Sequence, residues 1–355
     1  MITRIEKLRS LIPNDDFAVL ITSDVNRLYF SGFKSSAGAV LISMKSATLF
    51  VDFRYFEAAQ KNVEDINVVC YKSIYDSIND VLVNENIGFV YLEDESVTVA
   101  HEKKLSKSLK CEVLTDFNLS DKIHNLRMIK SKTEIDKVKI AQAITEKSYT
   151  ELLNFIKPGV SERKLALELE YLMKCNGAES VAFDIIAISG ENTSLPHGVP
   201  TERQLKNGDF ITFDIGSVYE GYHSDMTRTI ALGFATEEME EVYDVVLCAH
   251  HKAAKLIKAG STCSDVDNAA RDYITSKGYG EYFGHTTGHG VGLEIHETPT
   301  VYYTNKTILQ TNTIITNEPG IYLPNKFGVR IEDMYLVTDT GCEDLAKIDK
   351  ELIIL

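Results

Sequence analysis

Residues 209–233 read DFITFDIGSVYEGYHSDMTRTIALG, and how this stretch folds decides the architecture around it. Apolar and polar residues alternate on both sides of the central YEG, the period-two pattern of a β-hairpin. With the turn centred between Tyr219 and Glu220, Asp214 stands opposite Asp225. Directly opposed residues share a face, with Cβ atoms about 4.5–5.5 Å apart. Two like charges so placed repel, and a cation between them relieves the repulsion. Two ordinary exposed strand aspartates are the alternative that the hairpin alone leaves open.

A second pair of strand-like runs flanks a turn in NTIITNEPGIYLPNKFGVRIEDMYLVTD, residues 312–339. Glu318 and Glu332 can face each other across it, although Pro319 loosens the register. Glu318 ends the apolar run TIIT, and Glu332 interrupts GVRIEDMYLV. Acids inside such strands are costly to bury unless paired or metal-bound. Four carboxylates and one imidazole make an oxygen-rich site whose charge balances two divalent cations. That donor set suits manganese or cobalt, with zinc possible, and no cysteine lies in these motifs. Paired ions about 3.5–4 Å apart share a water and lower its pKa.

The imidazole comes from HTTGHGVGLEIHE, residues 285–297, which holds His285, His289 and His296. Gly288, Gly290 and Gly292 argue against a helix that would put His285 and His289 on one face. A glycine-rich strand or loop lets backbone come close to a metal, so His289 is the candidate nitrogen ligand. A lone histidine there is more often structural; four aligned acids reverse that.

The whole chain frames these motifs. At 355 residues it exceeds what one core usually supports, so two domains are expected. An apolar share of 44% with 25% charged residues fits a soluble globular protein. A formal charge of −15 argues against nucleic acid and anionic membranes as partners. No run approaches the roughly 18 apolar residues of a membrane span. The six scattered cysteines and the absence of a signal-like start point to reduced thiols and the cytoplasm.

Along the first third, FAVLI, YFSGF, AVLIS, ATLFVD, FVYLE and CEVLTDF read as strands, and SIYDSINDVLV and HEKKLSKSL as helices. We expect a small α/β domain over residues 1–122 and a second domain over 123–355, divided within the charged segment DKIHNLRMIKSKTEIDKVK. Helical spacing runs from about Lys132 to Ile156. SERKLALELEYLMKCNG then offers Ser161 as a cap and Gly177 as a stop. LLNFIKPG, ending at Gly159, resembles AAKLIKAG, ending at Gly260, and Gly177 lines up with Gly278. Either two amphipathic helices resemble each other by chance, or the domain is two related halves about a pseudo-two-fold axis.

Taken together, the sequence resembles the M24 metallopeptidases, the pita-bread group of Xaa-Pro aminopeptidases, prolidases, methionine aminopeptidases and creatinase. FDIGSVYEGYHSDMTRT, HTTGHGVGLEIHE, NEPGIY, GVRIED and SLPHG (194–198) carry the resemblance, which covers essentially the whole chain. It implies a creatinase/prolidase-type N-terminal α/β domain before a pita-bread domain with pseudo-two-fold symmetry. It implies metal ligands Asp214, Asp225, His289, Glu318 and Glu332, with Asp225 and Glu332 bridging two ions. His197 and His296 match the family's substrate-facing histidines, and Glu318 its proton shuttle. His285, Tyr322 and Arg330 match substrate-side positions, Arg330 either orienting Glu332 or meeting a substrate carboxylate. A surface salt bridge and a core tyrosine remain the alternatives for Arg330 and Tyr322. His101, His124, His223, His250 and His251 match no motif.

The reaction so implied removes the residue preceding proline from a peptide's N-terminus, through a bridging hydroxide on a dinuclear centre, in a protein that is commonly a homodimer. A prolidase confined to dipeptides is the nearest rival. The preceding domain of some 120 residues disfavours a methionine aminopeptidase. A catalytically inactive peptide-binding relative is the different-class alternative, and it typically lacks ligands that are all present here.

Overall fold

The computed structural model describes residues 3–355, which form two compact units, one ending at Arg127 and the other spanning Met128–Leu355. The first is built from helices α1 (Arg4–Arg9), α2 (Asp24–Ser31), α3 (Phe53–Asn62), α4 (Ile74–Glu85), α5 (Val99–Ser108) and α6 (Leu119–Met128). Its strands are β1 (Phe17–Ile21), β2 (Ala39–Ser43), β3 (Ala47–Val51), β4 (Asn67–Cys70), β5 (Phe89–Leu92) and β6 (Glu112–Leu114). They form one mixed sheet in the order β4-β3-β2-β1-β5-β6. Every residue of β2 and β3 is buried, as continuous apolar runs require of strands covered on both faces. Helix α6 passes through the expected boundary at 122/123, and the compact units divide at Arg127/Met128.

One expected strand is a helix. Residues 29–33 (YFSGF) form the end of α2 and its cap, because Ser23 accepts from Asn26 N at the start and Gly32 closes the helix at φ 67°. Tyr29 and Phe30 are buried on the inward side of its last turn. Helix α3 and strand β4 had no counterpart in the sequence reading. Asp52, read as the end of a strand, caps α3 by accepting from Arg54 N.

The second unit contains helices α7 (Lys132–Leu152), α8 (Glu162–Cys175), α9 (Glu237–Ala254) and α10 (Cys263–Ser276). Its first strands are β7 (Ser180–Val181), β8 (Ile186–Ser189), β9 (Phe210–Ile215), β10 (Ser217–Tyr219), β11 (Tyr222–His223) and β12 (Met226–Ala231). Then come β13 (Gly288–Gly290), β14 (Glu297–Val301), β15 (Ile314–Asn317), β16 (Gly320–Leu323), β17 (Phe327–Arg330), β18 (Asp333–Val337) and β19 (Cys342–Asp344).

The internal echo is structural. Helices α8 and α10 are 14 residues each, capped by Ser161 and Thr262. Gly159 and Gly260 precede them at φ 88° and 91°, and Gly177 and Gly278 follow at 108° and 88°. Gly159 N donates to Leu205 O and Gly260 N to Leu309 O, both at 2.9 Å. Each helix pair covers its own sheet, β8-β9-β12 in one half and β14-β13-β15-β18-β19 in the other. Each half also has its own buried cluster, around Leu165, Leu169 and Phe213 or around Val246, Val266 and Ile315. Each such side chain contributes about 1.5–3 kcal/mol when fully buried.

Candidate metal centre

The hairpin that carries the aspartates turns at Glu220–Gly221, with φ 45° and 79°. Positive φ at both positions is the type I′ geometry that matches strand twist. The turn is therefore one residue later than the sequence reading placed it. Asp214 pairs with Thr227, and Val218 with His223. Asp225 is thereby displaced two residues along the ladder from direct opposition to Asp214, which keeps it on the same face. For the glutamates the register is as expected. Asn317 pairs with Asp333 and Gly320 with Arg330, so Glu318 and Glu332 stand opposite each other between the two ladders.

The two hairpins meet at Thr227, which bridges to Glu332 through the backbone. Thr227 Oγ1 donates to Glu332 Oε2 at 2.7 Å and accepts from Arg330 Nε at 3.1 Å. Arg330 Nη2 in turn donates to Asp214 Oδ2 at 2.6 Å. Arg330 thus pairs directly with Asp214 and reaches Glu332 only through Thr227. Its side chain is 4% exposed, and the guanidinium also donates to Tyr322 Oη at 2.8 Å and to the Pro196 carbonyl at 3.2 Å.

His289 projects from β13. The glycines on either side of it admit not a metal but two neighbouring strands. A Cβ at Gly288 would lie 2.1 Å from Thr316 O, and one at Gly290 2.4 Å from Thr298 O. His289 Nδ1 lies 3.0 Å from the Gly290 carbonyl. A carbonyl only accepts, so Nδ1 carries the proton and Nε2 keeps its lone pair. That Nε2 is 3.5 Å from Asp225 Oδ2 and 3.4 Å from Glu318 Oε1. The His296 ring stands edge-on to it at 4.3 Å.

Asp225, His289 and Glu332 each offer a ligand atom within 4.8 Å of the others. Glu318 adjoins this group through His289, and Asp214 is turned towards Arg330. Burial pushes the Glu318 carboxyl up to about 8, with Arg330 offsetting part of the rise. Asp225 is raised well above the carboxylate range by burial and by the charges of Asp214 and Glu318. Glu332 is raised likewise by burial and by Asp225, Glu318 and Asp214. Burial and the neighbouring His296 lower His289 to about 4, so its imidazole is neutral near pH 7. Asp214 Oδ1 is buried without a hydrogen-bond partner. Crowded acids, an orphaned carboxylate oxygen and a neutral imidazole are the electrostatic signature of a site built around positive charge.

The remaining expected residues lie around this cluster. His285 Nδ1 donates to the Thr286 carbonyl at 2.8 Å, so Nε2 accepts from Tyr322 Oη at 2.9 Å. Arg330, Tyr322 and His285 therefore form one directed chain of hydrogen bonds. Burial lowers His285 to about 4 and raises Tyr322 to about 12. His197 sits exposed on the turn formed by Gly198 N and Leu195 O, one residue after the carbonyl that Arg330 contacts.

The sequence reading missed two groups. One is Thr227, legible only as the TRT of the motif. The other is Arg228, fully buried, which donates to the carbonyls of Thr227 and Glu332 and to Asp333 Oδ1 at 2.7 Å. Of the unmatched histidines, His250 is fully buried 3.3 Å from Asp333 Oδ2, and His223 Nδ1 lies 3.2 Å from the Gly292 carbonyl.

Residues 136–339 match metallopeptidase family M24, and residues 4–129 match the creatinase/prolidase N-terminal domain. The chain is 39% identical over 354 residues to the Xaa-Pro dipeptidase of Pyrococcus furiosus, covering 99% of each. It is likewise 39% identical to an uncharacterized peptidase of Bacillus subtilis, over 99% of this chain and 100% of that one. The solved Xaa-Pro dipeptidase from Bacillus anthracis superposes with a TM-score of 0.95 at 42% identity, covering 99% of each chain. The X-Pro aminopeptidase from Thermotoga maritima does so at 0.92 and 36% identity, over 99% of this chain and 100% of that one. With both of its regions matched and relatives aligned end to end, the chain belongs to the M24 metallopeptidase family, in its pita-bread fold with a creatinase/prolidase-type N-terminal domain.

Proposed function

We propose that the protein is an Xaa-Pro aminopeptidase, removing the residue before proline from the N-terminus of peptides. Asp214, Asp225, His289, Glu318 and Glu332 would hold two divalent cations, manganese foremost and cobalt or zinc as alternatives. When bound, the pair supplies Lewis acidity and a water acidified to near neutrality. The chain's own residues do the rest. The carboxylates receive the free amino terminus of the substrate. His296 polarises the scissile carbonyl from one side, and His197 faces the substrate from the other. Glu318 takes the proton of the attacking water and delivers it to the leaving imide nitrogen. Proline lacks an N–H, so its pocket, lined by His285 and Tyr322, works by shape and apolar contact.

The observation that favours an aminopeptidase is the engagement of Arg330. Four of its five N–H donors go to Asp214, Tyr322, Thr227 and Pro196, which leaves it without the pair needed for bidentate capture of a free carboxylate on the proline. A dipeptidase needs such a capture and by it excludes longer chains. The second reading, a prolidase, is favoured by the relatives that bear that name. The same reading makes the protein a cytoplasmic homodimer acting on peptides with proline second, with no nucleic-acid or membrane partner. Among the described residues no helix is long and apolar enough to cross a membrane.

The test compares kcat/KM on Ala-Pro, Ala-Pro-Ala-Ala and Ala-Ala-Ala with manganese-loaded protein. Cleavage of the tetrapeptide at least as efficient as that of the dipeptide is expected. Activity confined to Ala-Pro makes the protein a prolidase. Equal cutting of Ala-Ala-Ala removes proline specificity altogether.

A further inference from the structure

The turn that carries His197 belongs to a longer loop, residues 189–201, whose two ends are tied to one buried side chain. Glu162, the first residue of α8, is fully buried. Its Oε1 accepts from Ser189 N at 2.7 Å, Ser189 Oγ at 2.8 Å and Asn192 Nδ2 at 3.0 Å. Its Oε2 accepts from Thr201 N at 2.9 Å, Thr201 Oγ1 at 2.6 Å and again Asn192 Nδ2 at 3.2 Å. One carboxylate therefore closes the loop at both ends, through charge-assisted bonds that are shorter and stronger than neutral ones.

Between these ends the loop is held at its base and exposed at its tip. Gly190, at φ 55°, leaves the space that Arg203 fills; a Cβ there would lie 2.1 Å from Arg203 Nη2. Thr193 Oγ1 accepts from Gly328 N at 2.8 Å. Beyond it, Leu195 is 55% exposed and Val199 76%, on either side of exposed His197.

The second half shows that the fold does not require this carboxylate. The place of Glu162 at the start of α8 is taken in α10 by Cys263. Cys263 N donates to Thr307 O at 3.0 Å just as Glu162 N donates to Arg203 O at 3.0 Å. The helix pair and its cap are thus built equally well with a thiol in that place. What only the first half has is a histidine loop hanging from the side chain.

We propose that Glu162 is a positioning residue for His197. By fixing both ends of loop 189–201 it presents the imidazole to the substrate without a fresh ordering cost at each binding event. The proposal rests on the reading of His197 as a substrate-facing group.

The test is a double-mutant cycle in the full-length, manganese-loaded protein, combining Glu162→Gln with His197→Ala and reading kcat/KM on Ala-Pro-Ala-Ala. Glu162→Gln alone is expected to lower kcat/KM about 10- to 100-fold with metal content unchanged. Hydrogen exchange should accelerate over residues 190–200 and stay unaltered in α8 and β9. In the double mutant the two losses should fail to multiply, because Glu162 acts through His197. Thr201→Val, which removes one donor, carries the same cycle should Glu162→Gln not fold, and Thr201→Ser should behave as wild type. Losses that multiply, or unaltered exchange in the loop, overturn the proposal alone. Unchanged turnover in His197→Ala overturns it together with the reading on which it rests.

Discussion

The two halves of the second unit share a scaffold and divide the chemistry. Each has a capped 14-residue helix between positive-φ glycines, a partner helix and an antiparallel sheet. The first half contributes Asp214 and Asp225 on one hairpin and the exposed His197. The second contributes His289, Glu318 and Glu332 together with His285, His296, Tyr322 and Arg330. What repeats is the packing; what differs is the donor set each hairpin face presents. A site at the seam of two such halves is under no obligation to be symmetric, and this one is bound across the seam by Thr227 and Arg330.

The largest effect should come from breaking the seam at its centre. Asp225→Asn and Glu332→Gln are expected to lower peptidase turnover roughly 1000-fold or more, the scale on which a central catalytic group is felt. Metal per chain, measured on the purified protein, should fall with it. Asp214→Asn should be the milder change of the hairpin pair. Equal metal content in Asp225→Asn and wild type would remove Asp225 from the proposed ligand set.

Next in size is the pair of histidines proposed to face the substrate, one from each half. His197→Ala and His296→Ala should each cost about 100-fold in turnover and leave metal content intact. If His296→Ala loses metal, its role and that of His289 are exchanged, and the second half supplies its nitrogen ligand from outside β13.

The smallest effects compare the scaffolds themselves. Ser161 accepts from Lys164 N, and Thr262 accepts from Asp265 N in a full capping box. Either residue changed to Ala should cost about 1 kcal/mol, or about 2–4 °C in Tm for a unit of this size. Thr262→Ala should be the larger of the two, because the reciprocal bond from Thr262 N to Asp265 at 2.9 Å is disturbed with it. A Ser161→Ala protein that melts well below Thr262→Ala would mean that the first half depends more heavily on its cap.

Much of this was legible in the sequence, for reasons that can be traced. The period-two runs and turn residues set both hairpins, and the glutamate register followed from them despite Pro319. The aspartate hairpin turns one residue later than the alternation predicts, because Glu220–Gly221, not Tyr219–Glu220, supplies the positive φ that a type I′ turn needs. Moving a turn centre by one residue moves every partner by two, so Asp225 stays on the face of Asp214. In the first unit YFSGF failed as a strand because three aromatic residues around small ones imitate strand composition, while Ser23 and Gly32, which decide the helix, lie outside or between them. Thr227 and Glu162 were invisible for another reason. Each acts through hydrogen bonds to residues far along the chain, and no local spacing encodes such a bond.

The crowding around β13 separates two kinds of information in one motif. Gly288 and Gly290 are fixed by the carbonyls of the adjoining strands, which leave no room for a Cβ, and this constraint holds whatever the protein does. The acids are free of that constraint at Cβ; an alanine at 225 or 332 would meet no clash, although at 332 it would leave Thr227 Oγ1 without its acceptor. Packing alone therefore demands the glycines at 288 and 290, whereas the proposed metal chemistry is what would demand Asp225, Glu318 and Glu332. A descendant that had turned from cutting peptides to merely holding them would still carry the first set and would have lost the second.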